Sequence, residues 1–389
     1  MAGPLTGIRV IDLSSIVMGP YATQILGDMG ADVIKIESPD GDVFRYVTPF
    51  LNQGMSAAFL NLNRNKRSVA LDLKGENDRR ILLDLLKSAD VLVTTVRPQA
   101  MRRLGLDYES LSNDNPRLIY CGAYGFSERG PYAGLPAFDD IIQAMCGISS
   151  LQGRRGEKDR DSVSNGPQYV NTIFADKTVG CFIATAVSMA LFERERSGLG
   201  QAIEVPMFET MVSFTMIEHL AGETFYPPRG PMGYERVLSE HRRPYRTKDG
   251  YIGLLPYTAE QWARFFEAAG RPELAKDPRV IDPSARSANI GFLYALLVEI
   301  VAERTTAEWV EILMAADIPM SPVLSPEDLL DNEHLKAIDF FERVEHPSEG
   351  DVRTIGIPVR FSRTPGAIER LAPRLDEHRE EILKESSRE

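Results

Sequence analysis

Residues 8–36 read IRVIDLSSIVMGPYATQILGDMGADVIKI, and this stretch decides the fold class. Ile8 to Leu13 is a short apolar run of strand length, Tyr21 to Met29 has helical spacing that Gly30 stops, and Val33 to Ile36 is a second strand. The same alternation continues through a strand at Ser68 to Leu73, a helix at Asp78 to Lys87, and strands at Val91 to Thr95 and Leu118 to Cys121. An α/β fold with a parallel sheet covered by helices follows, and such sheets bind ligands beyond the carboxyl ends of their strands.

Further along, Val179, Phe182, Ile183, Ala186, Val187, Ala190 and Leu191 recur at i, i+3, i+4 spacing, and Arg194 and Arg196 precede Gly198. A long core-facing helix is expected there. A strand at Ala202 to Val205 follows. Pro227, Pro228, Gly230, Pro231 and Gly233 then make a breaker-rich linker between about Thr224 and Tyr234. Beyond it the pattern changes to a hairpin, Tyr245 to Leu255, that turns at Lys248-Asp249-Gly250. Thr258 with Gln261 and Thr305 with Glu308 are capping boxes that open two helices. Pro319, Pro322 and Pro326 mark the exit, a helix and a strand-like run from Val352 to Phe361 follow, and the charged end beyond Leu383 reads as a frayed tail.

The 389 residues carry 44 Lys or Arg against 56 Asp or Glu, a formal charge of −12. That argues against a nucleic-acid-coating protein or a polybasic membrane binder. Hydrophobic residues at 43% and charged residues at 26% describe a chain able to build a core, and its length suggests two or three units. Cys121, Cys146 and Cys181 form no CxxC pair, so neither a disulfide framework nor a zinc knuckle is indicated, and a reducing cytoplasm fits. The start, Met1-Ala2-Gly3-Pro4-Leu5, carries no targeting signal, and no apolar run approaches the ~18 residues of a membrane helix.

The turn after the first strand, Ser14-Ser15-Ile16-Val17-Met18-Gly19-Pro20, lacks the GxGxxG of a dinucleotide site. GxxxxGK[ST], HExxH and GxSxG are also missing, and the five histidines stand singly, without metal-ligand spacing. Metal and histidine chemistry are therefore not expected.

Several segments, in order, carry a resemblance. They are Pro4 to Leu13, Gly19 to Gln24, Gly30 to Glu37, Lys66 to Leu73, Arg97-Pro98 with Arg103 to Leu106, Gly130-Pro131-Tyr132, Ala175-Asp176-Lys177, Glu193 to Gly198 and Thr364-Pro365 through Leu375. Together they resemble the class III CoA-transferases, the CaiB/BaiF group, which also contains formyl-CoA transferases and α-methylacyl-CoA racemases. The resemblance implies a large Rossmann-like CoA-binding domain from residues 1–205 and 335–389, a smaller α+β domain from 225–325, linkers at 206–224 and 326–334, and an interlocked ring homodimer.

It also implies roles. Asp176 matches the family's nucleophile, and a carboxylate at the start of a long helix is oriented and kept ionised by the unpaired N–H groups there. Taken alone, an Asp at that place is an ordinary helix cap. Arg103 matches a CoA-contacting Arg, Arg97 lies near a basic position of some members, and the unaided reading of both is solvated surface. Val17, Met18 and Gly19 match the segment beside the CoA thiol, where Gly admits the cofactor; a tight strand-to-helix turn is the plainer role. Tyr124 to Glu128 occupies the family's SGFGQ-like loop, and Glu128, where Gln is common, either orients substrate or is a solvated carboxylate.

The racemase branch needs a His in a GHD motif, and here Ala137-Phe138-Asp139 stands there. Phe138 cannot exchange protons, which favours transfer. Asp139 and Asp140 read as a helix start. The linker lacks the glycine-rich loop of formyl-CoA transferases, so a formyl/oxalate pair is not expected. Arg229, Tyr234 and His241-Arg242-Arg243 could meet an acceptor carboxylate or form a charged linker. The expected activity is CoA transfer from an acyl-CoA, succinyl-CoA being the favoured donor, to a carboxylic acid through an aspartyl-CoA intermediate. CoA and acyl-CoA are substrates, with no tightly bound cofactor, metal, nucleic acid or membrane partner. An acyl-CoA racemase or epimerase and a non-catalytic acyl-CoA-binding subunit are the alternatives.

Overall fold

The computed structural model of the chain describes residues 3–153 and 166–386. Met1 and Ala2 of the N-terminal reading, and the last three residues of the expected tail, lie outside the described residues.

Six strands form one sheet: β1 (Arg9–Leu13), β2 (Asp32–Glu37), β3 (Lys66–Ala70), β4 (Val91–Thr94), β5 (Ile119–Tyr124) and β6 (Ala202–Pro206). Their order is β3-β2-β1-β4-β5-β6 and every pairing is parallel. Apolar runs without polar alternation are what a sheet buried on both faces requires. Val10, Val33 and Val91 face one side with Met18, Leu26, Val179 and Ile183 of two covering helices, Met18–Asp28 and Ala175–Ser197. Ile11, Ile34 and Leu92 face the other, against Leu82, Leu85 and Leu86 of the helix Glu76–Lys87. The 23-residue helix Ala175–Ser197 is long and apolar enough by composition to cross a membrane, against the sequence expectation, and half of its apolar window is buried in this core.

The chain divides into two compact units. One gathers described residues of Met1–Ser149, Tyr169–Thr215 and Lys336–Glu389, and the other those of Ser150–Gln168 and Met216–Leu335. The stretch 206–224, expected as a linker, is instead a helix, Met207–His219, followed by a 3-10 turn at Ala221–Thr224. Met207, Met211 and Thr215 recur every fourth residue and are buried, which explains why the segment coils rather than extends. In the second expected linker, 326–334, a 3-10 turn spans Asp328–Leu330 and a short helix begins at Glu333.

In the second unit, β7 (Tyr245–Arg246), β8 (Tyr251–Leu254) and β9 (Met320–Pro322) form an antiparallel sheet. Both capping boxes are present, opening the helices Ala259–Ala268 and Thr306–Ala315. Trp262, Phe265, Phe266, Leu297 and Trp309 make the core of this unit, with Trp262 stacked on Phe266 at 5.7 Å. In the first unit, β10 (Phe341–His346) and β11 (Gly350–Ile355) pair as a hairpin, and β11 stops short of Phe361 because Gly356 and Pro358 cannot prolong a ladder. The helix Arg379–Ser386 carries order beyond Leu383, where a tail was expected.

Candidate active site

The connections from β1 run towards β3 and those from β4 towards β6, so the strand order reverses between β1 and β4. Such a switch point leaves a crevice beyond the carboxyl ends of the two strands. Ser15, after β1, donates its backbone N–H to Thr95 Oγ1, after β4, at 3.4 Å. Both residues line two cavities that meet there. One, of about 200 Å³, is walled by Met18, Arg97, Tyr124, Glu128, Phe138 and Asp176. The other, of about 420 Å³, runs over the ends of β1, β2 and β4 past Ser38, Lys74 and Val96.

The turn out of β1 is held by buried charge. Ile16, on the cavity wall, has φ of +71°, a left-handed conformation that a β-branched residue strongly resists. Its N–H is fixed by both carboxylate oxygens of Asp42, each at 3.1 Å. Asp42 is in turn paired with Lys35 at 3.0 Å, and Lys35 Nζ also donates to the Ser14 carbonyl at 2.9 Å. On the neighbouring strands, buried Asp12 accepts from Lys66 at 3.0 Å, from Thr23 at 2.7 Å and from the Ser14 hydroxyl. Burial opposes ionisation of Asp12, but Lys66, Lys35 and the two hydroxyls outweigh it and hold its carboxyl down at about 2. The same burial lowers Lys66 to about 8.

Asp176 is 8% exposed and belongs to the first turn of the helix Ala175–Ser197. It is not the cap, as the sequence suggested: Phe174 holds that position and makes no side-chain capping bond. The orphan N–H of Asp176 is satisfied from elsewhere, donating to Asp139 Oδ1 at 2.9 Å. Asp139 opens the helix Asp139–Met145, as expected, and its second oxygen accepts from Gln143 Nε2 at 2.5 Å. Gln143, fully buried, accepts from the Val170 N–H at 2.9 Å, so the wall and the long helix share one network. Burial, with the nearby Asp139 charge, pushes the Asp176 carboxyl up to about 7. The expectation that the helix terminus keeps it ionised is thus corrected: desolvation wins, and the acid form dominates below neutral pH.

Of the residues singled out from sequence, Met18, Arg97, Tyr124 and Asp176 line the smaller cavity together. Tyr124 is raised to about 12, chiefly by burial, and stays neutral. Arg103 is exposed in the last turn of the helix Pro98–Leu104 and lines neither cavity. Val17 is 1% exposed and belongs to the core. Gly19 does not open space for a cofactor: a Cβ there would lie 2.3 Å from the Ser14 side chain, so its small size serves the packing of the turn. Phe138, 63% exposed, forms part of the wall where a racemase would need its His.

Glu128, one of two readings in the sequence, lines the cavity. Its Oε1 is buried and has no hydrogen-bond partner among the described residues, while Oε2 lies 3.9 Å from Arg102. The clamp of Asp42 and Lys35 on Ile16 was not foreseen, because nothing in local spacing marks a contact that closes only when β1 and β2 pair.

The chain matches the model of CoA-transferase family III over residues 5–379. It is 33% identical over 387 residues to the acetyl-CoA:oxalate CoA-transferase of Acetobacter aceti, covering 98% of this chain and 96% of that one. It is 32% identical over 401 residues to the succinyl-CoA:mesaconate CoA-transferase of Haloarcula marismortui, covering 99% and 96%. Among solved structures, a mutant form of Rv3272 from Mycobacterium tuberculosis superposes with a TM-score of 0.84 at 29% identity over the whole of both chains. A CAIB/BAIF family protein from Brucella suis gives 0.81 at 32% identity, again over the whole of both. This chain belongs to CoA-transferase family III and is an enzyme of that class.

Proposed function

We propose that the chain moves CoA from an acyl-CoA, succinyl-CoA being the favoured donor, to a carboxylic acid, with Asp176 as nucleophile. The observation that carries this reading is one buried carboxyl, at the head of the long helix, opening into the cavity at the switch point. The ionised Asp176 attacks the thioester carbonyl; the C–S bond breaks, CoA leaves as thiolate, and a mixed anhydride forms. The thiolate then attacks the Asp176 acyl carbon, releasing the donor acid and leaving an aspartyl-CoA thioester. The acceptor carboxylate reverses both steps. Thioester energy is conserved, so CoA enters as substrate and no tightly bound cofactor is required.

Arg97 at the rim, with Arg103 beyond it, attracts the CoA phosphates, and the larger cavity over the strand ends suits the nucleotide. Met18 and Tyr124 line the path of the thiol arm. Phe138 argues against two-base proton exchange, hence against a racemase. An interlocked homodimer belongs to the same reading, supported by the uncovered apolar side chains Phe182, Met189 and Phe192 on the long helix. So does a cytoplasmic location, supported by the exposed free thiol of Cys181.

The test is peptide mass spectrometry after incubation with a panel of acyl-CoAs and quenching with hydroxylamine. A hydroxamate on the Asp176 peptide, absent in Asp176→Ala, is expected. If donors that demonstrably bind leave no adduct, transfer through Asp176 fails; solvent deuterium at the acyl α-carbon would then favour the racemase.

A further inference from the structure

The contacts between the helix Asp139–Met145 and the segment leading into the long helix fix the orientation of one amide. Val170 donates its N–H to Gln143 Oε1 at 2.9 Å, and Gln143 Nε2 donates to Asp139 Oδ2 at 2.5 Å. A backbone N–H only donates, so the oxygen end of the Gln143 amide must face Val170 and the NH2 end must face Asp139. Turning the amide over would set two donors against each other at Val170 and two oxygens against each other at Asp139. Gln143 is completely buried, so water offers no substitute for either bond.

Asp139 therefore accepts on both oxygens, from Gln143 on Oδ2 and from the Asp176 N–H on Oδ1 at 2.9 Å. A proton on either oxygen would meet one of these N–H groups. The Asp176 carboxyl has no such donor among the described residues; burial and the Asp139 charge act on it instead, and both raise it. The other ionisable groups nearby are Lys177, which donates to the Thr172 hydroxyl at 2.7 Å, Asp140, which is exposed, and Arg97, Tyr124 and Glu128, which line the same cavity as Asp176. Two neighbouring carboxyls take up protons as a pair, and here the hydrogen bonds decide which member carries the first.

We propose that Gln143 is a positioning residue that acts through Asp139: by holding that carboxylate as a double acceptor, it assigns the proton shared by the two acids to Asp176 and keeps a negative charge beside Asp176 once that proton has left. The consequence for catalysis rests on the transfer reading above; the place of the proton does not. When ionised Asp176 attacks the thioester carbonyl, the C–S bond breaks, CoA leaves as thiolate, and the Asp176 carboxylate becomes a neutral mixed anhydride. One of two adjacent charges is then gone from the wall, so their repulsion in the free enzyme is relieved as the acyl bond forms.

Carbon-13 NMR of the full chain, labelled at the aspartate side-chain carboxyl, tests the place of the proton in wild type, with Asp176→Asn and Asp139→Asn assigning the two signals. The Asp176 signal should carry an inflection at a pH of about 7 while the Asp139 signal stays nearly flat across it. An Asp139 signal that carries the larger change overturns the proposal, whether or not any Gln143 variant folds. Gln143→Met keeps the side-chain length and removes both bonds, so Asp139 takes part of the proton and Asp176 stays ionised to lower pH. The Asp176 inflection, and with it the acid limb of kcat/KM, should move down by about one pH unit in this variant once thermal melting shows it folded. Combined with Asp139→Asn, it should shift Asp176 no further than Asp139→Asn does alone. A loss of kcat with the inflection unmoved, or a double variant that shifts beyond Asp139→Asn, overturns the positioning role. If donors that bind leave no adduct, the transfer reading fails on its own, and the NMR titration still decides which acid holds the proton.

Discussion

The backbone N–H of Asp176 donates to the Asp139 carboxylate at 2.9 Å, so the group that holds the head of the long helix also places a negative charge beside the Asp176 carboxyl. Position and acidity are thereby coupled. With the Asp176 carboxyl at about 7, kcat/KM should rise with slope one as pH increases to about 7 and level off above it. Asp139→Asn removes the neighbouring charge and should move this limb to lower pH, while burial keeps it above the ordinary carboxylate range. A limb that stays in place would show that Asp139 has no electrostatic role.

The same carboxyl has a consequence for stability. Its unfolded value is 3.8 and its folded value about 7, so between those pH values the folded chain holds a proton that the unfolded chain has released. Stability therefore falls as pH rises from 3.8 to about 7, and the cost stays constant above. Asp176→Asn should be more stable than wild type at pH 8 by on the order of 2–4 kcal/mol. The difference should vanish near pH 4. Denaturant melts at the two pH values measure it, and an equal gain at both would contradict the assignment.

Asp42→Ala leaves Lys35 buried without its carboxylate and frees the N–H of Ile16. Removing one partner of a buried pair costs about 3–5 kcal/mol. The midpoint of denaturant unfolding should fall accordingly, and KM for the acyl-CoA should rise because the wall at Ile16 loses its support. A midpoint within error of wild type would exclude the clamp.

Gly19→Ala should destabilise the protein by about 1–3 kcal/mol, since the new Cβ meets a Ser14 side chain whose hydroxyl donates to Asp12 and is held in place by it. Adding Ser14→Gly should recover part of the loss. If Gly19→Ala instead leaves the melt unchanged and raises only the KM for acyl-CoA, the glycine serves the ligand after all.

Glu128→Gln removes a negative charge whose buried oxygen lines the cavity. Acyl groups with a second carboxylate should gain about tenfold in kcat/KM relative to uncharged acyl groups of equal length. Competition between a monocarboxylic and a dicarboxylic acid of matched size gives the ratio directly, and no change would remove Glu128 from the determinants of specificity.

The parallel sheet was legible because Val10, Ile11 and Leu13, and Val91 to Val93, are apolar with little alternation, the pattern of strands covered on both faces, although buried Asp12 interrupts the first run. The two capping boxes were legible because each closes within four residues. The helix Met207–His219 was not, since its apolar side chains surround the axis and a breaker cluster follows it. At the site, Asp176 followed from resemblance, but its partner Asp139 lies 37 residues earlier, and its raised pKa depends on burial, which no local motif encodes. Gly19 shows the converse: a residue in matching order whose side-chain surroundings differ from the role expected of it.

The left-handed Ile16 has a last implication, for how such a pocket changes hands between substrates. A turn pinned by two interior charges is set before any ligand arrives and will not yield to the shape of one. Adaptation must then fall on walls without such a clamp. In this cavity Gly134 through Phe138 is one such wall, a run that no buried ion pair among the described residues holds, so on the transfer reading new acids should be admitted by substitutions there before any appear beside Ile16.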